Sequence, residues 1–255
     1  MLTKVVLLKR LFCFLARYPQ VKVIGGPRYL RFFCPRRIDR WPGFYSQAGQ
    51  DSFLCTSFFN LLCQDWFPKI FIDIGCNHPI KHNNSYFFEK YLGFRVVAID
   101  ALNSHRGEWA NTRPSSDFVC TAVGDGAGTV DFQVAEGCED DADMFSSVVG
   151  ASNKSEHLVR KKITVDVRTI DSILSERNIN NIGIVSLDIE GYEFNALQGI
   201  DFSTTEIMLF VIENNSSGIM GGNAIRELLI AKGYVFYARI WGMDDVFIHQ
   251  RMLKK

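Results

Sequence analysis

Polar side chains with oxygen atoms follow several apolar runs of the sequence, where they could bind a ligand or accept a proton. In chain order they are Asp73 and Asn77 after the first run, Asp100 after the second, Asp188 after the fourth, and Glu213 and Asn214 after the fifth. A carboxylate that ends a strand can accept hydrogen bonds from the hydroxyls of a ribose, and carboxylate and amide oxygens also bind Mg²⁺. These residue types therefore predict a ligand site, which the preceding runs must assemble.

The apolar runs alternate with segments of helical spacing. The strand-like runs are 70–74, 96–99, 118–123, 184–187 and 207–212, and helical segments cover 85–91, 194–197 and 224–232. Such alternation is typical of an α/β fold with a mostly parallel sheet and helices on both faces. The tail, 234–250, predicts two strands around a turn at 242–245, which would form an antiparallel C-terminal edge hairpin. Open parallel sheets bind ligands where their strands end, so we expect the polar residues to meet there.

The first two strand ends indicate the kind of ligand. Gly75 allows the backbone to turn sharply and a ligand to approach closely. The dinucleotide fingerprint has three glycines that cradle a pyrophosphate, and only one is present here. Asp100 ends the second run 25 residues after Gly75, which suits a carboxylate that binds a ribose. The pair therefore predicts an adenosine-type ligand without a pyrophosphate, most simply S-adenosylmethionine.

Five segments between Ser46 and Phe202 carry a resemblance to a known family. They are SQAGQDSFL, FIDIGCNHPIKHNNSYFFEK, AVGDGAGTVDF, ITVDVRTIDSIL and VSLDIEGYEFNALQGIDF. Together they resemble the FkbM family of S-adenosylmethionine-dependent methyltransferases over roughly residues 46–215, most specifically at Asp-x-Glu-Gly-x-Glu from Asp188. The resemblance implies a class I methyltransferase (Rossmann-like) fold and O-methylation, often of a sugar hydroxyl in a polysaccharide, glycolipid or natural product.

The resemblance also implies roles for five residues. Asp73, Gly75 and Asn77 match the family's first motif, which lines the methionine part of the cofactor. Asp100 takes the position of the acid that binds the ribose. Asp125, in AVGDG, resembles the position near the adenine.

Methyl transfer to an alcohol requires a positioned acceptor and removal of its proton. One hypothesis is that Asp188, Glu213 and Asn214 bind Mg²⁺, which would lower the pKa of the acceptor hydroxyl. The alternative has no metal: Asp188, Glu190 or His78 is the general base, and Glu213 binds the substrate.

Some of these residues also have a structural interpretation. His78 could be a hydrogen-bonding residue of a loop, and Glu190 and Glu193 could favour the N-terminus of the following helix. The charged segment 137–162 is interpreted as an insertion between strands. It is either a solvated loop or a substrate lid, in which case Ser146 and Ser147 would touch the acceptor.

The composition and charge distribution predict a domain with a basic arm. The chain has 255 residues, of which 47% are hydrophobic, enough for one α/β domain at 46–255. Residues 1–45 form a turn-rich arm, and the first forty carry ten Lys/Arg against one acid, Asp39. No uncharged run approaches the roughly 18 residues of a membrane span. Residues 1–40 could instead contact an anionic membrane peripherally, at its inner face, or pack on the domain itself.

Seven scattered cysteines, an odd number, indicate thiols in a reducing, cytoplasmic location. A glycan or glycolipid acceptor is expected. A non-catalytic nucleotide- or glycan-binding domain is the alternative. An RNA methyltransferase ranks third and a nucleic-acid partner is not expected, because the fourth strand is not followed by the Asn-Pro-Pro-Tyr type of motif.

Overall fold

The computed structural model describes residues 44–136, 142–151, 159–214 and 221–254. The basic arm therefore lies almost wholly outside the described residues, and its membrane contact and the cytoplasmic location stay predictions. Within the described part, none of the helices is long and apolar enough to cross a membrane. The four described cysteines are free thiols, of which Cys55 and Cys76 are buried, Cys120 is partly buried and Cys63 is exposed.

Eleven strands and six α-helices lie within these residues. The strands are β1 (Ile70–Ile74), β2 (Arg95–Asp100), β3 (Asp117–Cys120), β4 (Ala122–Val123), β5 (Gly128–Glu136), β6 (Ser147–Val148), β7 (Val159–Arg168), β8 (Asn181–Leu187), β9 (Glu206–Glu213), β10 (Tyr234–Ile240) and β11 (Asp244–His249). The helices are α1 (Gln50–Leu62), α2 (Tyr86–Leu92), α3 (Arg106–Thr112), α4 (Ile170–Ser175), α5 (Glu193–Gln198) and α6 (Gly221–Ala231). Three short 3-10 helices cover Asn103–His105, Ala142–Phe145 and Gln250–Lys254.

Seven strands form a mixed sheet in the order β10-β11-β9-β8-β1-β2-β3. Pairing is parallel from β9 through β8, β1 and β2 to β3, whereas β11 is antiparallel to both β9 and β10. The predicted C-terminal hairpin is confirmed. The chain leaves β1 toward β2 and β3 and later returns to β8 on the other side of β1, so the strand order reverses between β1 and β8. A ligand crevice is expected at such a point.

Helices cover both faces of this sheet, as predicted. Along each central strand the side chains alternate between two apolar clusters, as with Phe71 and Ile72 of β1. Residues of α1, α2 and α3 complete the first cluster, and residues of α4, α5 and α6 complete the second. Burial on both faces explains why the central strands are almost continuously apolar in the sequence.

A second sheet, in the order β4-β7-β5-β6, was not predicted. The predicted strand 118–123 is wrong as a single element, because β3 and β4 belong to different sheets. Thr121 separates them: its N–H donates to the carbonyl of Asp100 in the large sheet, and its hydroxyl donates to the carbonyl of Asp166 in β7. The predicted insertion also ends earlier, since residues 159–162 belong to β7 and pair with β5.

Candidate functional site

A cavity of about 460 Å³ lies at the carboxyl ends of the central strands. Six of the predicted site residues line it, namely Gly75, Asn77, Asp100, Asp188, Glu190 and Glu213. Asp73, His78, Asp125 and Asn214 are not among its lining residues. The structure therefore brings together most, but not all, of the predicted site.

Gly75 brings the end of β1 close to the chain that follows β8. Its φ is +76°, and an added Cβ would overlap the carbonyl oxygen of Asp188. The N–H of Gly75 donates to the carbonyl of Ile99 (2.9 Å), and the N–H of Asp188 donates to the carbonyl of Ile74 (3.0 Å). A glycine is therefore needed at position 75 because the strand ends pack so closely, and this residue also forms part of the cavity wall.

Asp100 joins the loops that follow β1 and β2. One carboxylate oxygen accepts the N–H of Asn77 (2.9 Å) and the other accepts the N–H of Leu102 (2.8 Å). Burial raises the pKa of Asp100, while these two hydrogen bonds act to lower it. A carboxylate oxygen has two lone pairs, so each oxygen can accept a further hydrogen bond from a ligand in the cavity.

Asp73 is buried below the cavity and has a structural partner. It accepts a hydrogen bond from Nδ2 of Asn83 (3.2 Å). The Oδ1 of Asn83 accepts the N–H groups of Ser85 and Tyr86, which begin α2, and the guanidinium of Arg113 (3.0 Å). Asn83 and Arg113 were not predicted from the sequence. An asparagine before a helix is an N-cap signal that could have indicated Asn83, but Arg113 lies 30 residues further along the chain.

His78 and Asp125 lie away from the cavity. The Nδ1 of His78 accepts the N–H groups of Ile80 (3.0 Å) and Lys81 (2.8 Å), and its Nε2 is 2.9 Å from a carboxylate oxygen of Glu108. Both ring nitrogens therefore stabilise the loop, which favours the structural interpretation of His78. Asp125 is exposed in the turn between β4 and β5.

Three acidic residues form a carboxylate cluster, defined as Asp188, Glu190 and Glu213. One carboxylate oxygen from each lies within 4.8 Å of the others. Asp188 follows β8 and Glu213 ends the neighbouring β9, so parallel pairing explains their proximity. Glu190 joins them through an unusual backbone: its φ is +56° and that of Gly191 is +101°. A non-glycine residue rarely adopts a positive φ, and this strain often occurs at functional sites.

Burial and mutual repulsion disfavour full ionisation of the acids around this cluster. Burial and then the charges of Glu213 and Glu190 raise the pKa of Asp188 well above its ordinary value. Burial and then Glu213 raise the pKa of Glu193 to about 7, although its carboxylate accepts the N–H groups of Ile189 and Gly191. The pKa of Asp244 is raised to about 7 for the same two reasons. Glu193 and Asp244 can therefore exchange protons near neutral pH.

Asn214 does not join Asp188 and Glu213, contrary to the predicted metal-ligand set. Its side-chain amide donates to Asp245 (2.6 Å), and its N–H donates to the carbonyl of Met243 (2.9 Å). Successive side chains of a strand point to opposite faces, so Glu213 and Asn214 diverge. Glu190 provides the third carboxylate instead.

Part of the cavity wall is apolar and includes residues that were not predicted from the sequence. Leu102, Ala122, Phe132 and Val148 line it and belong to one buried cluster with the second sheet. Ser146 also lines the cavity, whereas the neighbouring Ser147 is not among the lining residues. Part of the predicted insertion therefore lies over the cavity.

Comparison with known proteins gives one result. A family model described as a methyltransferase FkbM domain matches residues 73–236, which is more than half of the chain. No curated protein and no solved structure matches the chain. The match runs from the end of β1 through the carboxylate cluster to the start of the C-terminal hairpin. The chain therefore belongs to the FkbM family of methyltransferases.

Proposed function

We propose that the protein is an S-adenosylmethionine-dependent O-methyltransferase that methylates a hydroxyl of a glycan, glycolipid or natural product. The observation that carries this proposal is the carboxylate cluster, in which the pKa of Asp188 is raised, and which shares one cavity with Asp100. The strand order, with β11 reversed beside the edge strand, supports a class I (Rossmann-like) arrangement.

The chemical types of the cavity residues suit the binding of S-adenosylmethionine. Asp100 would accept hydrogen bonds from the ribose hydroxyls, and Gly75 and Asn77 would bind the methionine part. The apolar part of the wall, with Leu102 and Phe132, would pack against the adenine. When bound, the donor supplies an electrophilic methyl group on a sulfonium ion.

The carboxylate cluster is suited to remove the acceptor's proton. As the acceptor oxygen bonds to the methyl carbon, the hydroxyl proton would pass to Asp188, and the electrons of the broken carbon–sulfur bond stay on sulfur. A base with a raised pKa is a stronger proton acceptor near neutral pH. Glu213 and Glu190 would orient the acceptor by accepting hydrogen bonds from its other hydroxyls.

The turn between β10 and β11 favours a sugar as the acceptor. Met243 lines the cavity, and Trp241, two residues earlier in the hairpin turn, is 54% exposed with a φ of +50°. The exposed ring of Trp241 would offer a surface for the apolar face of a sugar, and the carboxylates of the cavity would accept hydrogen bonds from its hydroxyls. Five acids and, among the described lining residues, no Lys, Arg or His make the cavity unsuitable for nucleic acid.

A metal-dependent version of the same reaction uses the same residues. Three carboxylates with oxygens within 4.8 Å of one another are a donor set that suits Mg²⁺. Asp188, Glu190 and Glu213 would hold the ion, which would lower the pKa of the acceptor hydroxyl.

The test is calorimetric titration with S-adenosylmethionine and, separately, with NAD. We expect micromolar binding of the methyl donor alone, weakened at least tenfold in Asp100→Asn and unchanged in Asp131→Asn, whose carboxylate lies on the surface. A panel of glycans with tritium-labelled donor, with Mg²⁺ or with EDTA, then tests catalysis and metal dependence. Donor binding without any methylated acceptor would favour a non-catalytic binding domain, and no donor binding would contradict the proposal.

A further inference from the structure

One short segment closes the cavity from the side of the second sheet. This segment, residues 142–148, is called the cover. It contains the 3-10 helix Ala142–Phe145 and strand β6, and Asp143, Met144 and Phe145 line the cavity. The cover pairs with β5 at only two positions, Phe132 with Val148 and Gln133 with Ser147. Sheet pairing alone therefore holds it weakly.

Side-chain contacts of Asp143 hold the cover to the opposite wall. One carboxylate oxygen lies 3.3 Å from Nε2 of His105, which ends the 3-10 helix after β2. The other oxygen lies 3.4 Å from Nδ2 of Asn77 in the loop after β1. Asn77 also donates its N–H to Asp100. The cover is thus connected to the two loops that form the proposed donor site.

His105 is 9% exposed and faces acidic groups. They are Asp143 from the cover, Asp100 from β2 and Glu108 from α3. Burial acts to lower the pKa of His105, but the hydrogen bond to Asp143 and the nearby negative charges raise it overall. The pKa of Asp143 is lowered, chiefly by its hydrogen bond with His105. The raised pKa of His105 and the lowered pKa of Asp143 both favour an ion pair between them.

The protonation state of His105 decides which contacts are possible. Its Nε2 is within reach of both the Asp143 carboxylate and Nδ2 of Asn77 (3.4 Å). A protonated ring donates to Asp143 and leaves the Asn77 amide to donate to the same carboxylate. A neutral ring has no charge to attract Asp143 and, with its proton on Nδ1, presents a lone pair to the carboxylate.

We propose that protonated His105 is a positioning residue, which holds the cover over the bound methyl donor through Asp143 and orients Asn77. This inference rests on the proposed function. Because His105 has a raised pKa in the closed form, its contribution is complete at low pH and is lost as pH rises through that pKa. Donor affinity should therefore decrease with rising pH.

The experiment is calorimetric titration of the full chain with S-adenosylhomocysteine between pH 5.5 and 8.5. This product has no sulfonium charge, so ionisation of the carboxylate cluster affects it less than the donor. We expect affinity to fall about fivefold to tenfold across this range, as for loss of one half-buried ion pair. His105→Gln should bind weakly at every pH, and His105→Lys, with a permanent charge, should bind without this pH dependence.

Two further variants separate positioning from a general structural role. Asp143→Asn should show the same weak binding at every pH as His105→Gln. It tests the same contact if His105→Gln folds poorly. Asp117→Asn removes the partner of Arg177 at a distance from the cavity and should keep the wild-type profile. Hydrogen exchange of the cover's amides should accelerate in His105→Gln.

Wild-type affinity that does not change with pH, or an unchanged profile in both His105→Gln and Asp143→Asn, would overturn this inference while leaving the proposed function intact. Absence of binding to the wild type at every pH would overturn both.

Discussion

Two adjacent acids of β11 differ in their surroundings although both are buried. Asp245 is 0% exposed and accepts hydrogen bonds from the guanidinium groups of Arg226 and Arg239 and from the amide of Asn214. Asp244 is 4% exposed, and the side chain of Gln50 donates to it (2.9 Å). Because successive side chains of a strand point to opposite faces, Asp244 and Asp245 lie in different environments although they are adjacent in β11.

The difference shows how the fold uses buried charge. The guanidinium groups around Asp245 attach the hairpin to the end of β9, since Arg239 also donates to the carbonyls of Asn214 and Gly242. Asp244 instead pairs in register with Glu213, beside the carboxylate cluster, and its pKa is raised to about 7. A buried acid near other acids costs stability, so the presence of Asp244 beside the carboxylate cluster supports the chemistry proposed there.

The largest expected effect follows from changing the proposed base. Asp188→Asn should lower kcat about 10²-fold to 10⁴-fold, because the amide cannot accept the hydroxyl proton. Affinity for S-adenosylhomocysteine, which has no sulfonium charge, should change less than about threefold, since a single uncharged isostere leaves the other contacts in place. Tritium transfer and calorimetry measure the two quantities. Retained kcat would show that Asp188 is not the base, and Asp131→Asn is the control.

The ion-paired acid should affect stability more than activity. Asp245→Asn should lower the free energy of unfolding by about 3–5 kcal/mol, because it leaves two guanidinium groups without their carboxylate. The matched variant Asp244→Asn should be neutral or stabilising at pH 8, where the wild-type carboxylate is ionised among other acids. Urea unfolding followed by circular dichroism measures both. Equal losses in the two variants would contradict the comparison.

Stability should depend on pH in the direction set by the raised pKa values. Glu193 and Asp244 hold protons in the folded state up to about pH 7, whereas in the unfolded chain they lose them at their ordinary, lower values. Their effect is therefore a loss of stability as pH rises from 5 to 8, by a few kcal/mol at most. Thermal unfolding at several pH values measures this slope. Glu193→Gln and Asp244→Asn should each flatten it, and an unchanged slope in both would exclude these acids as its cause.

The smallest effect concerns the acceptor. Trp241→Ala should raise the acceptor's KM about tenfold through the loss of one aromatic contact, and Trp241→Phe should keep most of the affinity. Trp66→Ala is the matched control, because Trp66 is 42% exposed but precedes β1, at the opposite end of the strands. Steady-state kinetics with an acceptor from the glycan panel measures the change. An equal KM in Trp241→Ala and Trp66→Ala would remove Trp241 from the acceptor site.

Local sequence patterns were sufficient to predict the central strands and the acids that end them. A strand that is buried on both faces appears in the sequence as a continuous apolar run. Parallel strands have their carboxyl ends at the same edge of the sheet. Asp100, Asp188 and Glu213 follow from that pattern alone, and all three line the cavity. The resemblance to the FkbM family, which the family match confirms, rests on the same segments.

Which neighbouring side chains reach the site depends on the three-dimensional packing of the chain. Glu213 faces the cavity while Asn214 faces Asp245, and Glu190 arrives through a left-handed backbone that no periodicity predicts. The contact of Asp143 with His105 joins two 3-10 helices whose residues are 38 positions apart in the chain. Asp143 precedes β6, which belongs to a second sheet that was not predicted. Such contacts depend on side-chain direction and on packing between distant elements, and local sequence patterns contain neither.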